Sequence, residues 1–305
     1  MAVLATSGIT LPKNIADGMW KKAQSGSAIA ALSGADPQQF GEVTHVTLTG
    51  RPKAELVGEG ANKADTNATF GTKVATPHKF QVTMRFNEEV QWADEAYQLG
   101  VLSTLAEEGG LALSRALDLG GFHGINPLAG TAAASIVAGD RIGTTTNSVE
   151  ITTATLGTPD MVIEQAAGLV IADGYIPNGI AFDPTYAWTT ATARYEDGRK
   201  KFPELGFGAN ISSFEGLPAY SSSTVSGLPE AAADTKIKAI VGQWDAFRWG
   251  VQKNIPVRMI TAGDPDGLGD LGRKNQIALR LEVVYAWAVM DLDAFATVKD
   301  AVANV

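Results

Sequence analysis

Residues 44–86 read THVTLTGRPKAELVGEGANKADTNATFGTKVATPHKFQVTMRF. Residues 79–86 alternate apolar and polar side chains at period two, which predicts a β-strand. Residues 44–49 and 54–57 are predicted to be the strands that pair with it. Residues 58–67 between them are polar and carry Gly, Asn and Asp, which are typical of turns. The segment is therefore predicted to be a long two-stranded hairpin.

The hairpin region contains too few large apolar side chains to build a core of its own. Residues 34–86 contain 12 such residues in 53 positions, whereas residues 277–298 contain 12 in 22. Because an isolated hairpin is marginal in water, we expect it to rest on its own domain or on a neighbouring subunit. The segment before it, with a short helix predicted from Leu11-Pro12 to Gln24 and an apolar run over 28–32, is also too short for a core.

The rest of the chain mixes helix and strand patterns. The longest predicted helix begins at the N-cap residue Asn87 and runs until Gly120-Gly121, which at 1.5 Å per residue gives a rod of roughly 48 Å. Two further helices are predicted over residues 161–173 and 184–193. Strands are predicted over residues 180–182, 217–221, 237–242, 246–251, 257–260 and 277–290. The fold class is therefore predicted to be α+β, and a length of 305 residues suits about two domains.

Composition excludes several function classes. The chain has 24 basic and 33 acidic residues, and a net charge of −9 argues against a surface that grips nucleic acid. The absence of cysteine excludes disulfides, thiolate metal sites and a Cys nucleophile, and three histidines argue against a histidine-rich metal site. Since there is no run of 18 apolar residues, we expect no membrane span. We expect no cofactor and no metal.

A search for catalytic motifs gives none. The sequence lacks a phosphate-binding P-loop, a dinucleotide fingerprint, a zinc-protease motif and a nucleophile elbow. Residues 264–270, DPDGLGD, space carboxylates as a calcium loop does, but the closing Glu is missing, so a plain acidic turn is favoured. A thin arm, a long hairpin and an α+β body without an active site favour assembly over catalysis.

Several stretches, in this order along the chain, make it resemble the major capsid proteins of tailed bacteriophages, which have the Hong Kong-phage (Johnson) fold. The resemblance covers residues 11–298. The stretches that carry it are WKKAQSGSAIA from Trp20, LTGRPKAELVGEGANK ending at Lys63, the helix from Asn87, IPNGIAFDP from Ile176, NQIALRLE from Asn275 and DLDAF from Asp291. They are similar, in turn, to the family's N-terminal arm, extended E-loop, spine helix, axial A-domain and C-terminal P-domain strands.

The resemblance implies both a domain organisation and a function. The expected domains are an N-terminal arm (1–43), an E-loop hairpin (44–86), a P-domain (87–128 and 243–305) and an A-domain (129–242). The expected function is structural: hexamers and pentamers of this chain would form the icosahedral shell that encloses phage double-stranded DNA without sequence-specific binding. The shell would be the virion capsid, assembled in the cytoplasm of the bacterial host.

The resemblance also implies one chemical site. Some relatives join neighbouring subunits by an isopeptide bond between an E-loop Lys and a P-domain Asn, helped by a Glu. Lys63, Asn275 and Glu282 occupy these positions here. A desolvated lysine amine would attack the carboxamide, ammonia would leave, and the carboxylate would act as general base. The alternative is that Lys63 is a solvated tip lysine and Asn275 a turn residue, since many relatives assemble without crosslinks.

Two other functions stay open at this point. An encapsulin, a cellular nanocompartment shell, has the same fold, and a soluble α+β enzyme with an unrecognised site belongs to another class. For a phage capsid we further expect a portal and decoration proteins. Because the arm begins almost at Met1, which leaves no room for a scaffolding segment, we also expect a separate scaffold protein.

Overall fold

A computed structural model describes residues 26–300, except for 51, 91, 93–99, 153–157, 209 and 210. The helix predicted over residues 11–24 lies outside this part of the chain. The helices in chain order are α1 (Ala28–Leu32), α2 (Val101–Asp118), α3 (Pro159–Ala172) and α4 (Pro184–Thr192). The strands are β1 (Val43–Gly50), β2 (Thr69–Asn87), β3 (Ser148–Ile151), β4 (Gly179–Phe182), β5 (Ser213–Phe214), β6 (Leu217–Ser221), β7 (Ile237–Gly242), β8 (Phe247–Ile260), β9 (Gln276–Val289) and β10 (Phe295–Asp300). The mixture confirms the predicted α+β class.

The first sheet has four antiparallel strands in the order β1-β2-β9-β8. Its central strand β9 is almost continuously apolar, as expected of a strand covered on both faces. The indole rings of Trp287 and Trp249 and the phenol ring of Tyr285 are buried in the main core with α2. This sheet therefore supplies the rigid base from which the hairpin projects.

The second sheet has six strands in the order β3-β10-β7-β4-β6-β5, and α3 packs on β10, β3 and β7. Pro159 and Pro184 occupy the first positions of α3 and α4, where a missing backbone N–H costs nothing. The Asp183 carboxylate caps α4 by accepting from Thr185 N at 2.9 Å. Because β10 pairs with β7 in this sheet, residues 295–300 lie with the segment 148–242 and not with the first sheet.

The long helix predicted from Asn87 to Gly120 differs from the structure. Asn87 is the last residue of β2, paired with Gln276, and residues 88–90 after it are helical. Gly100 then takes a left-handed backbone with φ 63°, and α2 starts only after it. Because a left-handed residue cannot continue a right-handed helix, residues 87–120 do not form a single 48 Å rod. At its other end α2 continues into one π-helical turn, Leu119–His123.

Three strand predictions need correction. Residues 44–49 pair with residues 69–75 of β2 and not with residues 79–86, which pair with β9. The two strands predicted over residues 246–251 and 257–260 are one strand, β8, whose pairing with β9 is interrupted by irregularities near Val251 and Ile255. These breaks disturb the two-residue alternation by which a strand is recognised. Residues 54–57 form no strand and belong to the exposed loop between β1 and β2, where Leu56 is fully exposed.

The segment before β1 is anchored on the body. In α1, Ala28 and Ile29 are fully buried. Just after α1, the Trp249 indole Nε1–H donates to Ser33 Oγ at 2.9 Å, and Asp36 N donates to Trp249 O at 2.8 Å. This anchored stretch, residues 26–36, is called the arm anchor below. Within the described part of the chain, no helix has the length and apolarity to cross a membrane.

Candidate assembly surfaces

The hairpin projects from the rest of the first sheet, to which it is joined through β2. The outer part of β2, from Thr69 to Ala75, pairs only with β1, whereas its inner part, from Thr76, pairs with β9. Beyond the strands, residues 52–68 form the loop at the hairpin tip, and nearly all of them are exposed. The loop has internal hydrogen bonds, including Ala64 N to Glu55 Oε2 at 2.8 Å and Thr66 Oγ1 to Lys53 O at 3.1 Å.

One face of the hairpin is apolar and exposed. Leu48 pairs with Phe70, Val46 with Thr72 and Thr44 with Val74, and paired residues share a face of a sheet. The exposed apolar face consists of Val46, Leu48, Phe70 and Val74, and is called the hairpin ladder below. Val46 is 71% and Phe70 70% exposed. A contiguous apolar patch of this kind marks an interaction site more often than a chance surface.

A groove lies at the opposite edge of the same sheet. It runs between α2 and β8, has a volume of about 390 Å³, and its lining includes Gly110, Leu113, Val251, Pro256 and Val257. Val251 and Val257 are about half exposed. Among the residues that line it, Glu282 is the one charged residue. Leu281 and Val283 of β9 pack on the α2 side, so the alternation of the strand directs the Glu282 side chain to the other face of the sheet, and the groove itself is apolar.

The structure separates the residues of the predicted crosslink. Lys63 is exposed in the loop at the hairpin tip. Asn275 is an exposed turn residue before β9, with φ 49°, and its backbone O accepts from Glu88 N at 3.0 Å. Glu282 lies seven residues on along an extended strand, which places it about 23 Å from Asn275. One copy of the chain therefore cannot bring Asn275 and Glu282 to the same reaction centre.

The Glu282 carboxylate already has a partner. Lys79 Nζ lies 2.9 Å from Glu282 Oε1 on the neighbouring strand β2. The side chain of Glu282 is largely buried, whereas that of Lys79 is more than half exposed. A general base at Glu282 would therefore act directly beside the ammonium group of Lys79.

The acidic turn at residues 264–270 binds an arginine. The guanidinium of Arg85, buried on β2, pairs with the carboxylates of Asp264 and Asp266 and donates to Gly269 O at 2.9 Å. Burial alone would raise the pKa of Asp266, but hydrogen bonds from Arg85 and from Leu268 N lower it below its usual value. Two carboxylates of the turn thus form ion pairs with a buried cation of their own chain. Among the described residues, no cluster of His, Asp and Glu is arranged to hold a metal ion.

No local sequence pattern predicts the groove. Its walls come from a helix and a strand about 140 residues apart in the chain, and no local pattern joins them. The available signal was the apolar stretch from Ile255 to Val257, which follows the polar run from Gln252 to Asn254 on β8.

The sequence and the fold of this chain are both similar to those of known phage proteins. A chain from Mycobacterium phage Ogopogo is 52% identical, with a TM-score of 0.87 over 98% of this chain and 100% of the other. A chain from Gordonia phage Cozz is 35% identical, with a TM-score of 0.84 over 96% and 92% of the two chains. The probable major capsid protein gp17 of Mycobacterium phage D29 is 23% identical over 285 residues, 88% of this chain and 85% of that protein.

These matches support a structural role, and none favours the encapsulin or the enzyme alternative. The two phage chains share the fold over nearly their whole length, so the resemblance inferred from the sequence is confirmed. The model of the phage capsid family matches residues 7–300, and this chain is a member of that family.

Proposed function

We propose that copies of this capsid protein close into rings, hexamers and pentamers, by seating the hairpin ladder of one copy in the groove of the next. The observation that carries this proposal is that the two apolar surfaces lie at opposite edges of one sheet. A contact between different surfaces of identical copies is head-to-tail, and such contacts generate rings when the rotation closes. In this proposal the hairpin corresponds to the E-loop of the family.

The proposed domains follow the two sheets. The E-loop hairpin contains β1 and β2, the P-domain contains α2, β8 and β9, and the A-domain contains the second sheet with α3 and α4. We place residues 295–300 in the A-domain because β10 pairs with β7. The arm contains the residues before β1.

Negative-stain electron microscopy of the purified full chain tests the shell: closed particles or capsomers are expected, and a monomer would contradict it.

We also propose an isopeptide crosslink between neighbouring copies of the chain. Lys63 Nζ of one copy, as a neutral amine, attacks Asn275 Cγ of a second, and a new C–N amide bond forms. The bond from Cγ to the carboxamide nitrogen breaks and ammonia leaves. The general base is the Glu282 carboxylate of a copy other than the one that supplies Asn275, because about 23 Å separates the two residues within one chain. This carboxylate takes the proton from the attacking amine and delivers it to the leaving nitrogen.

A denaturing gel of assembled particles tests the crosslink. The expected result is a ladder of multimers that disappears in Lys63→Arg and in Asn275→Asp. Lys53→Arg, at an exposed lysine of the same loop, is the matched control and should keep the ladder. A single band at 31.9 kDa from closed particles would contradict the crosslink and leave the shell intact.

We extend the proposal to the contents and partners of the particle. A net charge of −9 supports a wall that repels the double-stranded DNA it encloses. Assembly in the host cytoplasm, with a separate scaffold protein, a portal and decoration proteins, is the expected setting. Mass spectrometry of purified particles, before and after DNA filling, tests this: a scaffold is present only before filling, and decoration proteins only after.

A further inference from the structure

One buried carboxylate joins three separate segments of the chain. Asp118, the last residue of α2, has no exposed surface. Its four hydrogen-bond donors come from the arm anchor and from the loop after β6. They are Ser27 Oγ at 2.5 Å, Ala28 N at 2.6 Å, Ile29 N at 3.1 Å and Thr224 Oγ1 at 2.5 Å.

The same three segments meet at the surrounding contacts. Arg115, one turn earlier on α2, donates to Ser223 Oγ at 3.0 Å and pairs with Glu230 at 2.7 Å. His123 Nε2 bonds to Thr224 O at 3.0 Å. Ser222 Oγ donates to Gly26 O at 2.9 Å and so ties the loop directly to the arm anchor. Residues 222–230 are called the clamp loop below.

Burial and hydrogen bonding have opposite effects on the pKa of the Asp118 carboxyl group. Burial raises its pKa to about 6, against the opposing effect of its four donors. The groups around it do not supply a countercharge. From β9, Tyr285 has a pKa raised to about 12, by burial first and then by Asp118. Burial lowers the pKa of His123. Arg115 is paired with Glu230, and Asp183 accepts from Ser226 Oγ of the clamp loop at 2.5 Å.

We propose that Asp118 is a charge-sensitive latch that sets how firmly the arm anchor is held against α2 and the clamp loop. This goes beyond the proposed function, because it concerns the arm and not the hairpin or the groove. When the arm anchor detaches, water reaches the carboxylate and the pKa returns to its ordinary value of 3.8. The docked state therefore binds a proton more tightly than the detached state does, and docking weakens as pH rises. Between pH 4 and pH 7 the docking equilibrium falls roughly 100-fold.

Because the chain has no cysteine, an introduced thiol reports on the arm anchor alone. Ser33→Cys places a thiol at a buried position of the anchor, and Ala64→Cys places one in the exposed loop as the reference. Assembled particles of each variant are labelled with 4,4′-dithiodipyridine from pH 4 to pH 8. The ratio of the two labelling rates should rise roughly 100-fold with a midpoint near pH 6. A ratio that does not change with pH would overturn the latch.

Three second-site variants separate the latch from a general structural effect. Asp118→Asn cannot titrate, and the ratio should become independent of pH. Thr224→Val removes one donor but leaves the carboxylate, so the midpoint should move above 6. His123→Gln, which can still donate to Thr224 O, should leave the midpoint where it is. If His123→Gln abolishes the pH dependence, or Thr224→Val leaves the midpoint unmoved, Asp118 is not the latch.

Discussion

Leu48 on β1 lies directly opposite Phe70 on β2, and half or more of each side chain is exposed to solvent. Paired apolar side chains on adjacent strands normally bury each other's surface beneath a further layer. No layer from the described part of this chain covers this pair. We propose that the next copy in the shell supplies the covering layer, which gives the hairpin contact a direct test.

The double variant Leu48→Ser/Phe70→Ser should fold but fail to form shells. Because both side chains are exposed in the single chain, its unfolding free energy should change by no more than about 0.5 kcal/mol. Removing the apolar contact surface should leave monomers or open capsomers in sedimentation velocity. The control Leu48→Ile/Phe70→Leu keeps the ladder apolar and should assemble. Full-size shells from the double serine variant would refute the hairpin contact.

Gly121→Ala should destabilise the fold by about 1–3 kcal/mol. A Cβ at this position would lie 2.8 Å from Ile29 Cδ1 and 2.8 Å from Phe247 Cζ, both of them buried. Gly168→Ala is the matched control, since a Cβ there meets nothing within 4 Å. In the interior of α3 it should stabilise by about 0.5–1 kcal/mol. Denaturant unfolding measures both, and equal effects would contradict the packing described.

Asp266→Asn should cost about 2 kcal/mol, because it weakens charge-assisted hydrogen bonds to the buried Arg85 guanidinium. The pKa of Asp266 is lowered in the fold, so its contribution is complete above the unfolded value of 3.8 and is lost as pH falls through the folded value. Unfolding free energies at pH 7 and pH 3 measure this. The difference between variant and parent should be smaller at pH 3, and an equal difference would contradict the assignment.

Asp118→Asn should alter stability with the opposite pH dependence. The folded pKa of about 6 lies above 3.8, so the folded state holds the proton more tightly, and the stability from this group is complete below pH 4. It is lost as pH rises through 6, by a total of about 3 kcal/mol. In the variant this slope between pH 4 and pH 6 should vanish. Parallel stability curves for parent and variant would contradict the raised pKa.

The sequence predicted the elements whose patterns are local. Residues 277–290 are predicted as a strand and form β9 from Gln276 to Val289, because a buried strand shows as a run of large apolar residues. Residues 184–193 are predicted as a helix and form α4 from Pro184 to Thr192, with the cap hydrogen bond from Thr185 N to Asp183 in place. The α+β class follows from such elements without any knowledge of their arrangement.

The features that escaped prediction depend on contacts between distant residues. Helical periodicity continues across Gly100, so nothing in the pattern indicates its left-handed backbone. Asp118 reads as a polar residue near a helix end, and its donors at Ser27 and Thr224 lie about a hundred residues away on either side. The position of Lys63 relative to Asn275 depends on other copies, and one chain does not determine it.

The continuity of β2 has a mechanical consequence. The strand that carries the hairpin is also paired with β9 over twelve consecutive residues, from Thr76 to Asn87. A force on the hairpin tip is transmitted along β2 and loads the hydrogen bonds between β2 and β9 in shear. These bonds therefore resist together and do not open one after another. A neighbour that holds the hairpin therefore transmits tension to β9, the most buried strand of the sheet. The wall of the particle can then bear load although each copy is held through its projecting hairpin.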